Sequence, residues 1–510
     1  MRHVPSRWIA CLFLAICAKA PHLDAQTLPE NPVVLNPLWR ISFGSDYATT
    51  ASASEMQQHA PSGLLYYVPS TPTDPTGQQL QTLFRLVSPS GSDHMDSTSA
   101  GEGGYTTEGP LGYPWVSPTA HSGLSPIFRI YDNQVGTANA GDHALMVGPN
   151  APPGASAENS FVSSGYFPEG PLGYGYARYP STTTDQFMSW VNGGGITVAS
   201  NAAVGCTISE WWWLGNQFVN DFDYGRQISS AFGEIPGQTN NPTENGDKYG
   251  GGPSTEDNGS QGSGQGFPLL QRHGSPCLSI TTAGNFQATR AIPLEWNPDA
   301  FGGGPNNPVI YPDLQIGKNL TLGWSKDNVV RPIALYQTAI SSPATMSSVQ
   351  VEVPSVYLLA RFNTYYVYYP FQADSYVVPT CLNSTGRSTQ QLVSIPLSSS
   401  CFSQPGAPVD GFSYGPIAVI LSSGTSSSSP AMAIYSNSPN ASVVIYDNSQ
   451  GPEGDQYGSN FAKGSILFAG PVPAAPANNP WTFSSWIITD TLANVQNDVN
   501  LLFSWGVTSQ

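Results

Sequence analysis

The chain has 510 residues, 39% of them hydrophobic, which is enough for sizeable cores and more than one domain. Only 10% are charged, while Gly (52) and Pro (46) are abundant, so a mostly helical fold is disfavoured: exposed helical faces need Lys, Glu and Ala. A formal net charge of −17, from 17 basic against 34 acidic residues, leaves no broad cationic track for nucleic acid or another polyphosphate.

Residues 1–25 read as a secretory signal. Arg2 and Arg7 supply its positive end, and the apolar run Trp8 to Ala18 is too short to span a membrane. Small residues at Ala18-Lys19-Ala20, or Ala25 before Gln26, fit a cleavage site. No later stretch holds 18 uninterrupted apolar residues, so the expected location is secreted, extracellular or periplasmic, without membrane insertion. Cys11 and Cys17 leave with the signal. Cys206, Cys277, Cys381 and Cys401 remain, and an even count in an exported chain favours disulfides. Of the three possible pairings, Cys206–Cys277 and Cys381–Cys401 are expected, because each encloses a loop-rich segment. Metal binding is the poorer reading: there is no Cys-x-x-Cys, and among histidines only His273 lies near any of the four. No cofactor is expected.

A threefold repeat follows. Each unit opens on an apolar-aromatic-Arg-apolar tetrad: Leu38-Trp39-Arg40-Ile41, Leu83-Phe84-Arg85-Leu86 and Ile127-Phe128-Arg129-Ile130. A polar turn comes next, at Ser45-Asp46-Tyr47, Ser92-Asp93-His94 and Gly141-Asp142-His143. Then come a small-residue pair and an acid, Glu55, Glu102 or Glu158. Each unit closes on a Gly/aromatic hairpin, and the last two closures share Gly-Tyr-x-x-Glu-Gly-Pro-Leu-Gly-Tyr at 104–113 and 165–174. No unit can bury its own apolar face, so three are expected to close around a pseudo-threefold axis over 36–180. About four short strands per unit suggest a β-trefoil, with a small propeller-like sheet array as the alternative.

The pattern resembles a secreted bacterial repeat module whose units read Pro-Leu-Tyr-Arg-Leu-Tyr, Gly-Asp-His-Phe-Tyr-Thr-Thr and Glu-Gly-x-Ala-x-Tyr-Val. Met95 and Ala144 stand where that module has Phe-Tyr. The resemblance implies an appendage to an exported, often glycan-active, protein. Aromatic side chains at repeated loop positions suit sugar rings, and Asp46, Asp93 and Asp142 are then acceptors for sugar hydroxyls. The competing reading makes the Arg and aromatic positions core residues and braces between units.

Residues 185–510 carry recurrent short β runs, such as 196–199, 320–324, 351–353, 365–369, 418–421, 442–446 and 465–469, punctuated by Gly, Pro and Asn. That texture predicts a large antiparallel β-sandwich, single or double, and an all-β fold overall. One helix is expected near the end. Leu492, Val495, Val499 and Leu502 fall on one helical face, with Thr489 or Asp490 as N-cap.

The candidate site residues concentrate in 192–313. Asp221 and Asp223 share a face at i, i+2 if extended, about 7 Å apart. Tyr224 and Arg226 follow, and Glu244 and Asp247 lie on a Gly/Asn/Pro loop. A glycosidase needs two carboxyls about 5–9 Å apart. A lyase needs a base such as Tyr or His and a cation beside the substrate carboxylate, roles open to Tyr224, Arg226 and His273. Trp211-Trp212-Trp213 cannot all be core if extended, since alternate side chains point outward. Trp211, Trp213, Glu295, Trp296 and Asp313 are taken as substrate contacts. The segment Asn192-Gly193-Gly194-Gly195-Ile196, with Asp-x-Gly-Arg-Gln-like residues at 223–227, weakly resembles large carbohydrate-handling sandwiches of the mutarotase and polysaccharide-lyase kind. The paired catalytic histidines of that kind are not evident here. No phosphate loop, His-Glu-x-x-His motif or Gly-x-Ser-x-Gly elbow occurs. The expected partner is a polysaccharide or glycoconjugate, processed by a hydrolase or lyase, or bound without catalysis.

Overall fold

The computed structural model describes residues 33–43, 46–132, 141–147, 166–177, 188–202, 205–219, 227–234, 254–255, 275–295, 309–311, 313–378, 382, 384–397, 416–448 and 461–507. These residues are nearly all β, in large antiparallel sheets. Among them no helix is long and apolar enough to cross a membrane.

The three repeat units each form a three-stranded antiparallel sheet with the tetrad on the middle strand. In the first, β1 (Val33–Phe43) lies between β2 (Asp46–Thr50) and β3 (Ala60–Pro69). In the second, β4 (Leu83–Val87) lies between β5 (His94–Ser97) and β6 (Thr106–Gly112). In the third, β7 (Ser125–Asp132) lies between β8 (His143–Val147) and β9 (Tyr166–Ala177). The arginines face glycines across each pair: Arg40 opposite Gly63, Arg85 opposite Gly109, Arg129 opposite Gly170. A register irregularity follows each arginine at the same place.

The strands β2, β5 and β8 contact one another and ring the pseudo-threefold axis. Leu38, Leu83 and Ile127, the first residue of each tetrad, meet in one buried cluster with Leu65, Leu111 and Leu145. Each unit has three described strands, where the trefoil expectation has about four. The acid-bearing segment is helical in the first two units: α1 (Ala53–Gln58), whose N-cap Ser52 accepts from the Glu55 amide, and a 3-10 turn at Glu102–Gly104.

Most of the remaining strands build two facing sheets, while 376–377 and 387–388 pair separately. One begins with β10 (Met188–Gly193), β11 (Ile196–Asn201) and β12 (Thr207–Trp213) and continues through 228–234, 346–359, 461–472 and 441–448. The other runs 277–283, 286–291, 315–322, 333–341, 481–491, 430–436, 417–422, 364–368 and 392–395. One core fills the space between them, with Val198, Trp211 and Val356 from the first sheet against Leu320, Val419 and Ile487 from the second. The sandwich is therefore single. The disulfide Cys206–Cys277 ties β12's entry to the first strand of the second sheet. Cys381 and Cys401 lie outside the described residues.

Helix α2 (Leu492–Ser504) covers the second sheet's outer face, and Leu492, Val495, Val499 and Leu502 are buried there as their spacing requires. Its N-cap is Thr491, not Thr489 or Asp490. The Thr491 hydroxyl accepts from the Asn494 amide, whereas Thr489 is still on a strand and its hydroxyl accepts from the Trp211 indole.

The module and the sandwich share a cluster in which Trp39, Trp115 and Tyr176 meet Ile292, Leu294 and Ile310. β1 also pairs with Val309–Ile310.

The β10–β11 hairpin turns on Gly194 and Gly195, both at positive φ (64° and 80°). A Cβ on Gly194 would stand 2.1 Å from the Arg331 carbonyl oxygen, while one on Gly195 meets nothing within 4 Å. Gly195→Ala is expected to cost about 1 kcal/mol for backbone strain alone. Gly194→Ala should cost about 2 kcal/mol more, because backbone must move. Denaturant unfolding of the two variants checks the difference; equal losses would mean that the close approach to Arg331 carries no energy.

Candidate functional site

The repeat aspartates converge. Oxygens of Asp46, Asp93 and Asp142 lie within 4.8 Å of one another at the axis. Two of the three junctions carry cross-unit hydrogen bonds to these acids: the His94 amide donates to Asp46 (3.3 Å) and the Tyr47 amide donates to Asp142 (3.3 Å); at the third, His143 Nδ1 stands 3.5 Å from Asp93. The His94 imidazole also bonds Asp46, and the Tyr105 hydroxyl donates to Asp93. Burial alone would lower the His94 pKa, but the bond to Asp46 and the charges of Asp46 and Glu108 raise it overall. Burial and the bond to Asp93 raise the Tyr105 pKa, keeping that hydroxyl a donor. The three carboxylates are hard oxygen donors placed to share a cation. Asp46 and Asp142 are buried and turned toward the neighbouring unit. The expectation that they meet sugar hydroxyls at exposed loops is corrected to that extent: closing three units drives these turns inward.

The tetrad arginines act as braces. Arg85 bridges Glu55 of the preceding unit (2.9 Å) and Glu108 of its own (2.7 Å). Arg129 repeats this with Glu102 (2.9 Å) and Glu169 (2.6 Å). Each also donates to a neighbouring-unit carbonyl, Arg85 to Thr49 and Arg129 to Asp96. Asp96 is fully buried, and burial pushes its pKa to about 6 despite the Thr49 hydrogen bond and the nearby arginines.

The tryptophan run resolves by strand parity. Trp211 and Trp213 point into the sandwich core, and the Trp211 indole donates to Thr489 (2.9 Å) across the two sheets. Their expected role as stacking platforms is therefore corrected, because β12 pairs with β11 in the register that puts Ile196 and Val198 on the same inner face. The outward ring is Trp212, 37% exposed. Trp190 on β10, 45% exposed, shares that outer face. It lies opposite Ala199, which lies opposite Glu210, while Trp212 lies opposite Thr197, itself opposite Asn192. Two strand spacings and two residues separate the tryptophans, about 12 Å between backbones. Ala199 is completely covered between these strands. Glu210 accepts from the Trp212 indole (2.7 Å) and from the Gln217 amide, which fixes the ring's tilt. The composition signal was present in the Trp run, but Trp190, alone in its strand, gave none.

A third constellation joins module to sandwich. Asp313 sits at φ 64° and accepts from the Ser122 amide (2.7 Å) and from His121 Nδ1 (3.1 Å). His121 Nε2 meets Asp74 (2.9 Å), which also accepts from the Trp115 indole (2.6 Å) and the Thr76 hydroxyl (2.6 Å). Both ring nitrogens of His121 face carboxylates. Burial would lower the His121 pKa, but the bonds to Asp313 and Asp74 outweigh it and raise it overall. Burial would raise the Asp313 pKa, but His121 and the Ser122 amide lower it overall. His121 and Asp74 were not singled out in the sequence, since nothing in their spacing links 74, 121 and 313.

Asp221, Asp223, Tyr224, Arg226, Glu244, Asp247, His273 and Trp296 lie outside the described residues. Glu295 ends a short strand, Leu294–Glu295, paired with Ser254–Thr255.

No family model matches the chain, and no curated protein matches it. Among solved structures it is similar to a putative mutarotase from Salmonella typhimurium: 10% identity, 61% of this chain, 95% of that one, TM-score 0.25. It is also similar to a putative aldose 1-epimerase from Klebsiella pneumoniae (9% identity, 61% of this chain, 81% of that one, TM-score 0.26). A 4-alpha-glucanotransferase from Thermococcus litoralis overlaps 60% of this chain at 10% identity and TM-score 0.23, and the match spans only 37% of that enzyme. None of these superpositions assigns a family or an activity to the chain.

Proposed function

We propose that this is an exported glycan-handling protein whose outer β10–β12 face binds the sugar chain. The observation that carries the reading is the pair of exposed indoles, Trp190 and Trp212, on one flat face, with Glu210 holding the second and Asn192 beside it. Sugar rings present C–H faces to aromatic rings and hydroxyls to carboxylate and amide groups, and this face offers both. A disulfide fits an oxidising compartment outside the cytoplasm, in line with the signal-like residues 1–25.

Catalysis is the second reading. Asp221 and Asp223 follow Trp212 within about a dozen residues of sequence. A hydrolase or lyase would use Asp221, Asp223, Glu244 and Asp247 as acid and base, or Tyr224, Arg226 and His273 for elimination.

A glycan array probed with the chain lacking residues 1–25 tests the binding reading. Trp190→Ala and Trp212→Ala should each weaken retention about tenfold, or about 1.4 kcal/mol. Trp481→Ala, exposed on the other sheet, should change nothing. Unfolding midpoints should stay unchanged for all three, since these rings are at the surface. Retention that survives the double Trp190→Ala, Trp212→Ala variant would sink the proposal. Reducing-end and 235-nm assays with and without Asp223→Asn then separate a hydrolase or lyase from a binding protein.

A further inference from the structure

A cavity of about 420 Å³ opens where the repeat module meets the sandwich, away from the tryptophan face. Ser122 contributes from the module, and Asp313, Ser342, Pro343, Ala475 and Pro476 from the sandwich. Among the described residues its one ionisable wall group is Asp313, whose side chain is 38% exposed, whereas the His121 and Asp74 side chains behind it are almost completely buried. The Asp313 carboxylate accepts from the Ser122 amide, the Ser122 side chain and His121, and its side chain stays partly open to the cavity. The backbone at positive φ holds the carboxylate in this pose, a strain that surrounding structure must support. The two carboxylates outnumber the one imidazole between them, and among the described residues no basic side chain lines the cavity. The remaining described wall is Pro, Ala and Ser, which offers apolar contact and hydroxyls but no second charge.

We propose that this cavity binds a small ligand bearing a primary ammonium, with Asp313 as its counter-ion and the Asp74–His121 pair as the support that orients Asp313. His121 contacts Asp313 from the buried side, so the charge presented to the cavity is the carboxylate, which favours a cationic ligand. The ammonium belongs to an amino sugar or to an amine-bearing amino acid, and the two sources are separable by probe. The Asp313 carboxyl, held below its ordinary range by His121 and the Ser122 amide against the effect of burial, stays ionised at neutral pH.

Calorimetric titration of the chain lacking residues 1–25 with D-glucosamine, D-glucose and L-lysine amide tests this. Glucosamine or lysine amide should bind at least tenfold more tightly than glucose. Glucosamine alone names an amino sugar, and lysine amide alone names an amino acid amine. Asp313→Asn should weaken binding at least tenfold. Because that change also touches the relay, Ala474→Trp serves as a second variant: it fills the cavity from an exposed position and leaves Asp313, His121 and Asp74 in place. It should abolish binding without moving the unfolding midpoint. Trp190→Ala and Trp212→Ala should leave ammonium binding intact, so failure here and failure on the glycan face are distinguishable. Absence of ammonium binding to the native chain, glucose binding equal to glucosamine, or indifference to both variants would each overturn the proposal.

Discussion

Replacing Cys206 and Cys277 by alanine is expected to lower the unfolding free energy by about 4 kcal/mol, from the chain entropy released when a loop of this size opens. The bridge spans 71 residues of sequence and joins the two sheets of the sandwich at one end. Its partners are buried, Cys206 at 0% and Cys277 at 1% exposure, so the core around them must also re-close. Cys206 sits in the left-handed backbone region at φ 65°, which alanine tolerates no better, so strain at that site is unchanged by the substitution. The bridge also encloses the segment that contains Asp221, Asp223, Glu244, Asp247 and His273, so any activity should become sensitive to reductant alongside stability. The measurement is denaturant unfolding of the native chain with and without reductant, beside the double variant. Reduced native protein and variant should coincide. A gap below about 1 kcal/mol between oxidised and reduced native protein would show that the bridge is dispensable.

Arg129→Met is expected to cost about 3 kcal/mol, toward the low end for breaking a buried ion pair, because Glu102 and Glu169 are each about a third exposed and recover some solvation. The guanidinium does three things at once: it pairs the acid of the preceding unit, pairs its own unit's Glu169, and donates to the Asp96 carbonyl (3.0 Å). Methionine keeps the stem's volume and removes all three. Arg129→Lys keeps the charge but not the fork, and should recover less than half of the loss. Circular dichroism with denaturant, read beside Glu102→Gln, checks the coupling: if the brace operates between units, the double variant should lose less than the two singles together. Strict additivity would place Arg129 outside any brace.

How much of this was legible without coordinates varies by element. The final helix was, because four apolar residues at 3.6-residue spacing can be buried together only on a helix; its cap slipped to Thr491, the residue whose hydroxyl reaches the Asn494 amide. The repeat was legible as a repeat, since Arg40, Arg85 and Arg129 recur in equivalent settings. Its architecture was not: strand count per unit depends on whether the acid-bearing segment pairs or coils, and Ser52 capping Glu55 decides for a helix in the first unit. The Cys206–Cys277 pairing followed from enclosure of a loop-rich segment and stands in the structure.

The chain's own order of residues determined an all-β protein, a threefold module, a terminal amphipathic helix and an alternation at Trp211 to Trp213, because periodicity and composition are local properties. Only tertiary structure decided which parity of that alternation faces water, that Asp46, Asp93 and Asp142 meet on one axis, and that Asp74, His121 and Asp313 form a relay. Sheet register and unit closure set those contacts. Both depend on where distant apolar faces are buried, and that information is not carried by the neighbours of any one residue.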